Sequence, residues 1–385
     1  MRRAGVAGLV IAAAAAAAGA GEAHAGPSTA VTAEGGVEAD SNVQRVETGP
    51  GLMTSRVAAP VARLGARLAH TGRVAGGGYA LALGALSRTV ISSGDRDLSP
   101  ENVLLLSGDL RWLRPIGERA VSAGVGLVAV DAIPISDVVG SRTFRTLGGD
   151  GLLVLRGGDE RTLTFAFGGR NFEFKPDPDR VYDWRGPTGT VRLDLTLWQR
   201  AGGTRSIELS ALFGFEARAY NSRANASACP EDAPPSESCF AGTSQQRNDR
   251  FQRAAVELTW TGRFVAAAAY QLSVTDSNSY GQSIVRHRAT LSATTDLPWR
   301  LYGTALATLQ IDQYPDGLLV ARNLVTPTFT SLDDENRSSL QARIARQVSK
   351  TWAVEGRGAI WRNLGGTLDT TFRRALLYVG AVYNR

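Results

Sequence analysis

Between Arg250 and Gln310 the chain alternates polar and apolar positions with few interruptions. Arg253, Ala255, Glu257, Thr259 and Thr261 share one face of the first segment, and Ala254, Val256, Leu258 and Trp260 share the other. Further on, Arg286, Arg288, Thr290, Ser292 and Thr294 oppose Ala289, Leu291 and Ala293. Alternation at period two over about ten residues predicts a β-strand with two unlike faces. The connections are a short Thr-Gly-Arg, the longer DSNSYGQS and a short Asp-Leu-Pro-Trp. Short turn, long loop, short turn predicts an antiparallel transmembrane barrel.

Extended along the chain, the same pattern predicts an all-β, up-and-down barrel of about sixteen strands, with fourteen to eighteen left open. The first nine lie near Thr29–Ala39, Val57–Ala69, Tyr79–Ile91, Val103–Leu113, Ala120–Val130, Thr143–Leu155, Arg161–Phe174, Gly189–Trp198 and Arg205–Tyr220. Four fill the stretch already described, and three follow at Arg337–Val348, Trp352–Trp361 and Phe372–Tyr383. Short turns such as Arg114–Glu118, Ala201–Thr204 and Ser349–Thr351 alternate with longer connections, the longest being Asn221–Asp249. A soluble sandwich or propeller has no reason to sort loop lengths by parity, whereas an outer-membrane barrel keeps its periplasmic turns short. An even strand count puts both ends of the barrel in the periplasm. Trp112, Trp198, Trp260, Trp299 and Trp352 all lie close to short turns, as a periplasmic aromatic girdle requires. Trp198 fits this imperfectly, because parity places it on the polar face.

The opening MRRAGVAGLVIAAAAAAAGAGEAHAG changes the picture from a membrane-type barrel to an exported one. Two arginines precede a run of small apolar residues, and Ala23-His24-Ala25 fits an A-x-A cleavage site. Residues 1–25 therefore read as a signal peptide and 26–385 as one barrel, in the outer membrane of a Gram-negative bacterium. Cys229 and Cys239 sit in a loop rich in Pro, Ser, Asp and Glu, and in an exported chain they are expected to form a disulfide closing it. Lys+Arg is 42 against 36 for Asp+Glu, yet Lys175 and Lys350 are the only lysines. The arginines are spread through strands rather than gathered in a patch, which argues against nucleic-acid binding.

Parity assigns Arg63, Arg67, Arg111, Arg192, Arg218, Arg253, Arg286, Arg288, Arg343, Arg357 and Arg374 to the lumen. Asp109, Asp194, Glu208, Glu216, Glu257, Asp312 and Glu355 join them, leaving a positive excess of four. Charges on these positions must face water or each other. They form either salt-bridge ladders that stiffen the wall or a channel that favours anions. After signal cleavage only His70 and His287 remain, and no Ser/His/acid arrangement, metal-ligand spacing or cofactor motif appears. The chain is therefore not expected to be an enzyme.

Three segments add a family likeness: VEADSNV, then YQLSVTDSNSYGQS with HRATLSATTDLPWRLY, then FRRALLYVGAVY. Together they resemble the outer-membrane barrels of the exopolysaccharide-export porin group, such as the poly-N-acetylglucosamine export porin and its stand-alone relatives. The likeness is clearest over 250–384. It implies an outer-membrane conduit for a secreted polysaccharide. The tetratricopeptide scaffold of the poly-N-acetylglucosamine porin is absent, so the resemblance implies a separate periplasmic partner, a polysaccharide-export protein of the Wza type. Gly380 and Tyr383 fit a signal for the barrel-assembly machinery, although the terminal residue is Arg385 rather than Phe. Two other functions compete. One is a general diffusion porin with anion preference, in which Asn221–Asp249 folds in as the constriction. The other is a surface barrel whose loops bind a partner and whose lumen is plugged.

Overall fold

The computed structural model describes residues 27–46, 48, 55–91, 97–117, 120–135, 143–158, 160–175, 178–228, 240–315, 337–363 and 371–385. The expected signal peptide and both cysteines, with their expected disulfide, lie outside these residues. The strands are β1 Ser28–Asp40, β2 Ala59–Val74, β3 Gly77–Val90, β4 Val103–Ile116, β5 Val121–Pro134 and β6 Phe144–Arg156. They continue as β7 Arg161–Phe174, β8 Trp184–Gln199, β9 Ser206–Ser227, β10 Phe240–Thr261 and β11 Phe264–Ser277. The last are β12 Ile284–Leu297, β13 Leu301–Gln313, β14 Ser338–Gln347, β15 Trp352–Arg362 and β16 Arg373–Asn384. Each pairs antiparallel with its sequence neighbours, and β1 pairs with β16, so the sheet closes into the sixteen-strand barrel that the alternation predicts. Closure leaves no free edge and satisfies every ladder.

Alternation fixes the two faces. Val31 and Val37 of β1, Leu64 of β2, Leu106 of β4, Phe167 of β7, Phe213 of β9, Leu291 of β12 and Leu377 of β16 are all exposed on the outside. Side chains of this size facing outward on nearly every strand make an apolar belt, the reverse of a soluble barrel. At the short-turn end of the belt, Trp112 donates its indole N–H to the Val74 carbonyl at 3.1 Å. Trp352 packs on Tyr383 with ring centroids 5.3 Å apart. Trp299 differs: it sits in the β12–β13 turn, 80% exposed, with a left-handed φ of 60°. The β2–β3 turn is tighter, with Ala75 at φ 51° and Gly76 at φ 74°. Two successive positive φ values match a type I′ turn, whose twist suits a hairpin.

Three sequence expectations change. Trp198 is not on the polar face. A bulge between Thr196 and Trp198 adds one residue to β8, which reverses parity and sets Trp198 opposite Ile207. Its ring then stacks outside on Trp260, centroids 6.1 Å apart and 5° from parallel. Next, Arg114–Ile116 is not turn but the end of β4, with Arg114 opposite Ala123 and Pro115 opposite Ser122. The third change is larger. Most of the describable part of Asn221–Asp249 is strand, because β9 and β10 each run for 22 residues while the others span 10 to 16. The hairpin continues the wall past the rim, with register shifts around Gln246. Beyond the membrane both faces meet water, so this part has no apolar alternation to reveal it.

Candidate channel lumen

The register aligns the charged positions on the inner face. Arg63 stands opposite Gly36 and Arg88, Arg67 opposite Thr32 and Gly84, and Arg111 opposite Ala80 and Gly126. Arg192 faces Thr164, Arg218 faces Asp249, Arg253 faces Ser273, and Glu257 faces Ser210. Arg286 and Arg288 neighbour Asp312 and Gln310 across the β12–β13 ladder. Arg343 lies opposite Arg357, and Glu355 opposite Ala345. All twelve positions fall on the same side of the wall, opposite the apolar belt.

These charges behave in two ways. Around the closing seam they form a dense network. Arg63 donates to Glu34 at 3.1 Å, and Arg88 donates to Glu38 at 2.9 Å. Arg374 reaches Asp40 at 2.7 Å, and Asp40 also receives Arg88. Glu355 is shared by Arg343, at 2.7 Å from its Nε, and by Arg357, which also contacts Glu34. Glu38 is 0% exposed and Asp40 2%. Tyr378 lies flat in this network with Arg357 over its ring at 4.8 Å. Room for the ring comes from Gly36 and Gly380, which are paired across the seam. A Cβ on Gly36 would come within 2.7 Å of the Tyr378 ring, and one on Gly380 within 2.1 Å of its hydroxyl.

A second network lines β6–β11. Arg170 reaches Asp150 at 2.8 Å, and Arg218 pairs with Glu216. Arg218 also lies over Trp184 at 4.6 Å. Arg247 bonds Asp249 at 2.6 Å and covers Tyr220 at 4.0 Å. Sequence parity had not assigned Glu34, Glu38, Asp40, Asp150, Asp249, Arg88, Arg170 or Arg247 to the lumen. These five acids and three arginines reduce the positive excess counted from sequence. On β1 the signal was present: Glu34, Glu38 and Asp40 oppose Val31 and Val37 by parity.

Toward the long-loop end the inner face turns apolar and dry. Val103, Leu105, Ala132, Phe144, Phe172, Trp184 and Tyr220 form one buried cluster across β4–β9. Phe144, Phe172 and Trp184 stack in sequence with centroids 5.9 Å apart. A second cluster packs Val61 and Ala59 of β2 beneath Val43 and Leu98. Val43 belongs to the β1–β2 connection, and Leu98 precedes the 3-10 turn Ser99–Glu101 between β3 and β4. Val43 and Leu98 therefore pack against the inner wall. The described ends of Asn221–Asp249, expected to supply the constriction, instead extend β9 and β10 upward.

Part of the short-turn half is polar. Thr290, Ser292, Thr294 and Thr304 line β12 and β13, the last two joined at 3.0 Å. Arg192 with Asp194 at 2.9 Å, Glu208, Glu257 and Glu160 line a recess near the short turns. Among the described residues, Arg67, Arg253 and Arg288 make no ion pair and no hydrogen bond to a carboxylate. His70 and His287 are on the outer face, where His70 bonds Thr29 and Tyr79, and His287 bonds Tyr270. No cluster of three His, Cys, Asp or Glu side chains suited to a metal appears among the described residues.

No family model matches the chain, and no curated protein matches it. Solved structures do match. They include a double mutant of a porin from Rhodopseudomonas blastica, 9% identical, with a TM-score of 0.37. A triple mutant of the same porin is 8% identical with a TM-score of 0.38. In both cases the match covers 93% of this chain and 100% of the other.

Proposed function

We propose that this chain is an outer-membrane diffusion channel of a Gram-negative bacterium with a preference for anionic solutes. The observation that carries the reading is the set Arg67, Arg253 and Arg288, which project from the inner wall without a carboxylate ion pair among the described residues. An arginine in a narrow low-dielectric path raises the local concentration of anions when no acid is bonded to it, and the field of Glu216 at Arg253 is opposed by that of Arg170. The other lumen arginines are largely neutralised by partners and mainly stiffen the wall. The apolar belt with its aromatic girdle supports membrane insertion. In this reading the chain is exported by residues 1–25, assembled by the barrel-assembly machinery, surrounded by outer-membrane lipid, and catalyses no reaction.

The test is the reversal potential of the refolded protein in a planar bilayer under a potassium chloride gradient. The wild-type channel is expected to favour chloride. The triple variant Arg67→Gln, Arg253→Gln, Arg288→Gln is expected to lose most of that preference at similar conductance. An unchanged reversal potential would remove the basis of the proposal.

Export of a polysaccharide, with a Wza-type periplasmic partner, is a second reading. It draws on the family likeness and on the hydroxyl-lined stretch Thr290, Ser292, Thr294 and Thr304, a wet surface suited to sugars. Block of the open channel by neutral oligosaccharides would favour it. Indifference to them would favour simple diffusion.

A further inference from the structure

The outer face of the wall carries a run of charges across four adjacent strands, β5 to β8. On β5 the outward row Val125, Leu127 and Ala129 ends in Asp131. On β6, Leu153 and Leu147 give way to Arg145, and on β7 Phe165 and Phe167 give way to Asn171 and Glu173. On β8, Val191 and Pro187 give way to Arg185. All four transitions occur at the long-loop end, on adjacent strands. On the same rim Pro60 and Ala62 of β2, Leu104 of β4 and Ala217 of β9 carry no charge, while Arg250 faces Asp276 across β10–β11 and Arg362 faces Arg373 across β15–β16.

The group has more cations than acids. Arg145 lies 3.1 Å from Asp131 and 4.0 Å from Glu173. Lys175 contacts Asp131 and donates to the Ala132 carbonyl at 3.0 Å. Arg180 lies 3.7 Å from Glu173. Arg185 stands opposite Asn171 and pairs with no carboxylate among the described residues. Asp131 and Glu173 are therefore each divided between two cations. The side chains of Arg145 and Arg180 remain 46% and 67% exposed.

We propose that this patch binds the phosphate of a net-anionic phosphorylated lipid headgroup in the surrounding leaflet, in preference to a zwitterionic one. The guanidinium fork matches phosphate geometry bidentately. The location selects a lipid over free phosphate, because the cations lie outside the wall, next to the apolar belt where acyl chains would pack. Basic side chains at that level attract anionic headgroups. The inference rests on the outer-membrane reading above.

The test refolds the full chain into vesicles of phosphatidylcholine alone or with added lipid A, extracts it in mild detergent, and counts retained lipid by native mass spectrometry. Wild type is expected to retain lipid A and little phosphatidylcholine. The double variant Arg145→Gln, Arg185→Gln is expected to retain several-fold less, while Arg250→Gln, on the outer face of β10, retains as much as wild type. Migration of the unboiled protein as a compact band on a gel establishes that each variant folds. Equal lipid A retention by wild type and the folded double variant would overturn the proposal. So would complete displacement by inorganic phosphate, which would assign the patch to the free ion. Failure of wild type to insert into either vesicle would instead refute the outer-membrane reading, and this inference with it.

Discussion

The two ends of the inner wall are built on opposite principles. At the long-loop end, inward residues are buried: Asp40, Arg88 and Arg374 among ion pairs, Phe172 and Trp184 among stacked rings. At the short-turn end of β8, β12 and β13, the inward Arg192, Asp194, Ser292, Thr294 and Thr304 keep some contact with solvent, although Val154 and Val382 are buried on the same face. Glu208, for instance, has Ser206 as its one hydrogen-bond donor among the described residues, at 2.9 Å. Both ends come from the same alternating strands, so the strand pattern does not distinguish them. The difference lies in what covers the inner face. Val43 and Leu98 fold over one end, and only short turns border the other. A barrel wall thus becomes either a small protein core or a wet conduit according to the connections it receives.

Substitutions should separate the two ends, and the largest effect is expected at Asp40. Asp40→Ala leaves Arg88 and Arg374 buried without their shared carboxylate. Breaking such a buried pair costs roughly 3–5 kcal/mol, read as a lower urea midpoint for the refolded barrel. Trp184→Ala should follow, at about 3 kcal/mol for a truncated buried aromatic, with a loss of near-ultraviolet circular dichroism. Ser292→Ala, on the wet half, should move the midpoint by less than about 0.5 kcal/mol and leave the spectrum unchanged. If Ser292→Ala proved as costly as Trp184→Ala, the short-turn half would have to be packed too, and the contrast would fail.

Much of this arrangement is legible in the sequence. Alternation alone places Arg253, Glu257, Arg286 and Arg288 on one face and counts the strands. Three things resist it. The pairing of an arginine depends on neighbours on other strands: Arg63 finds Glu34, while Arg67, equally spaced in register from Glu34, finds no acid among the described residues. A bulge is invisible without a partner strand, so Trp198 reads as inward until Ile207 is set against it. The tall β9–β10 hairpin resembles a loop in composition, because residues clear of the membrane need no apolar face. The dry mouth could not be read either, since Val43 and Leu98 are single apolar residues in polar connections.

The seam also determines the order in which the barrel can form. Every ladder except one joins strands that follow each other along the chain, so hairpins can zip in succession. The exception joins Thr32 to Asn384, a separation of 352 residues. Closing a loop of that length costs on the order of 5 kcal/mol in chain entropy before any contact forms. The Glu34–Arg357 and Asp40–Arg374 pairs, which link β1 to β15 and β16, are therefore among the last contacts made. Weakening them should speed the opening of the closed cylinder and barely slow the assembly of the open sheet that precedes it.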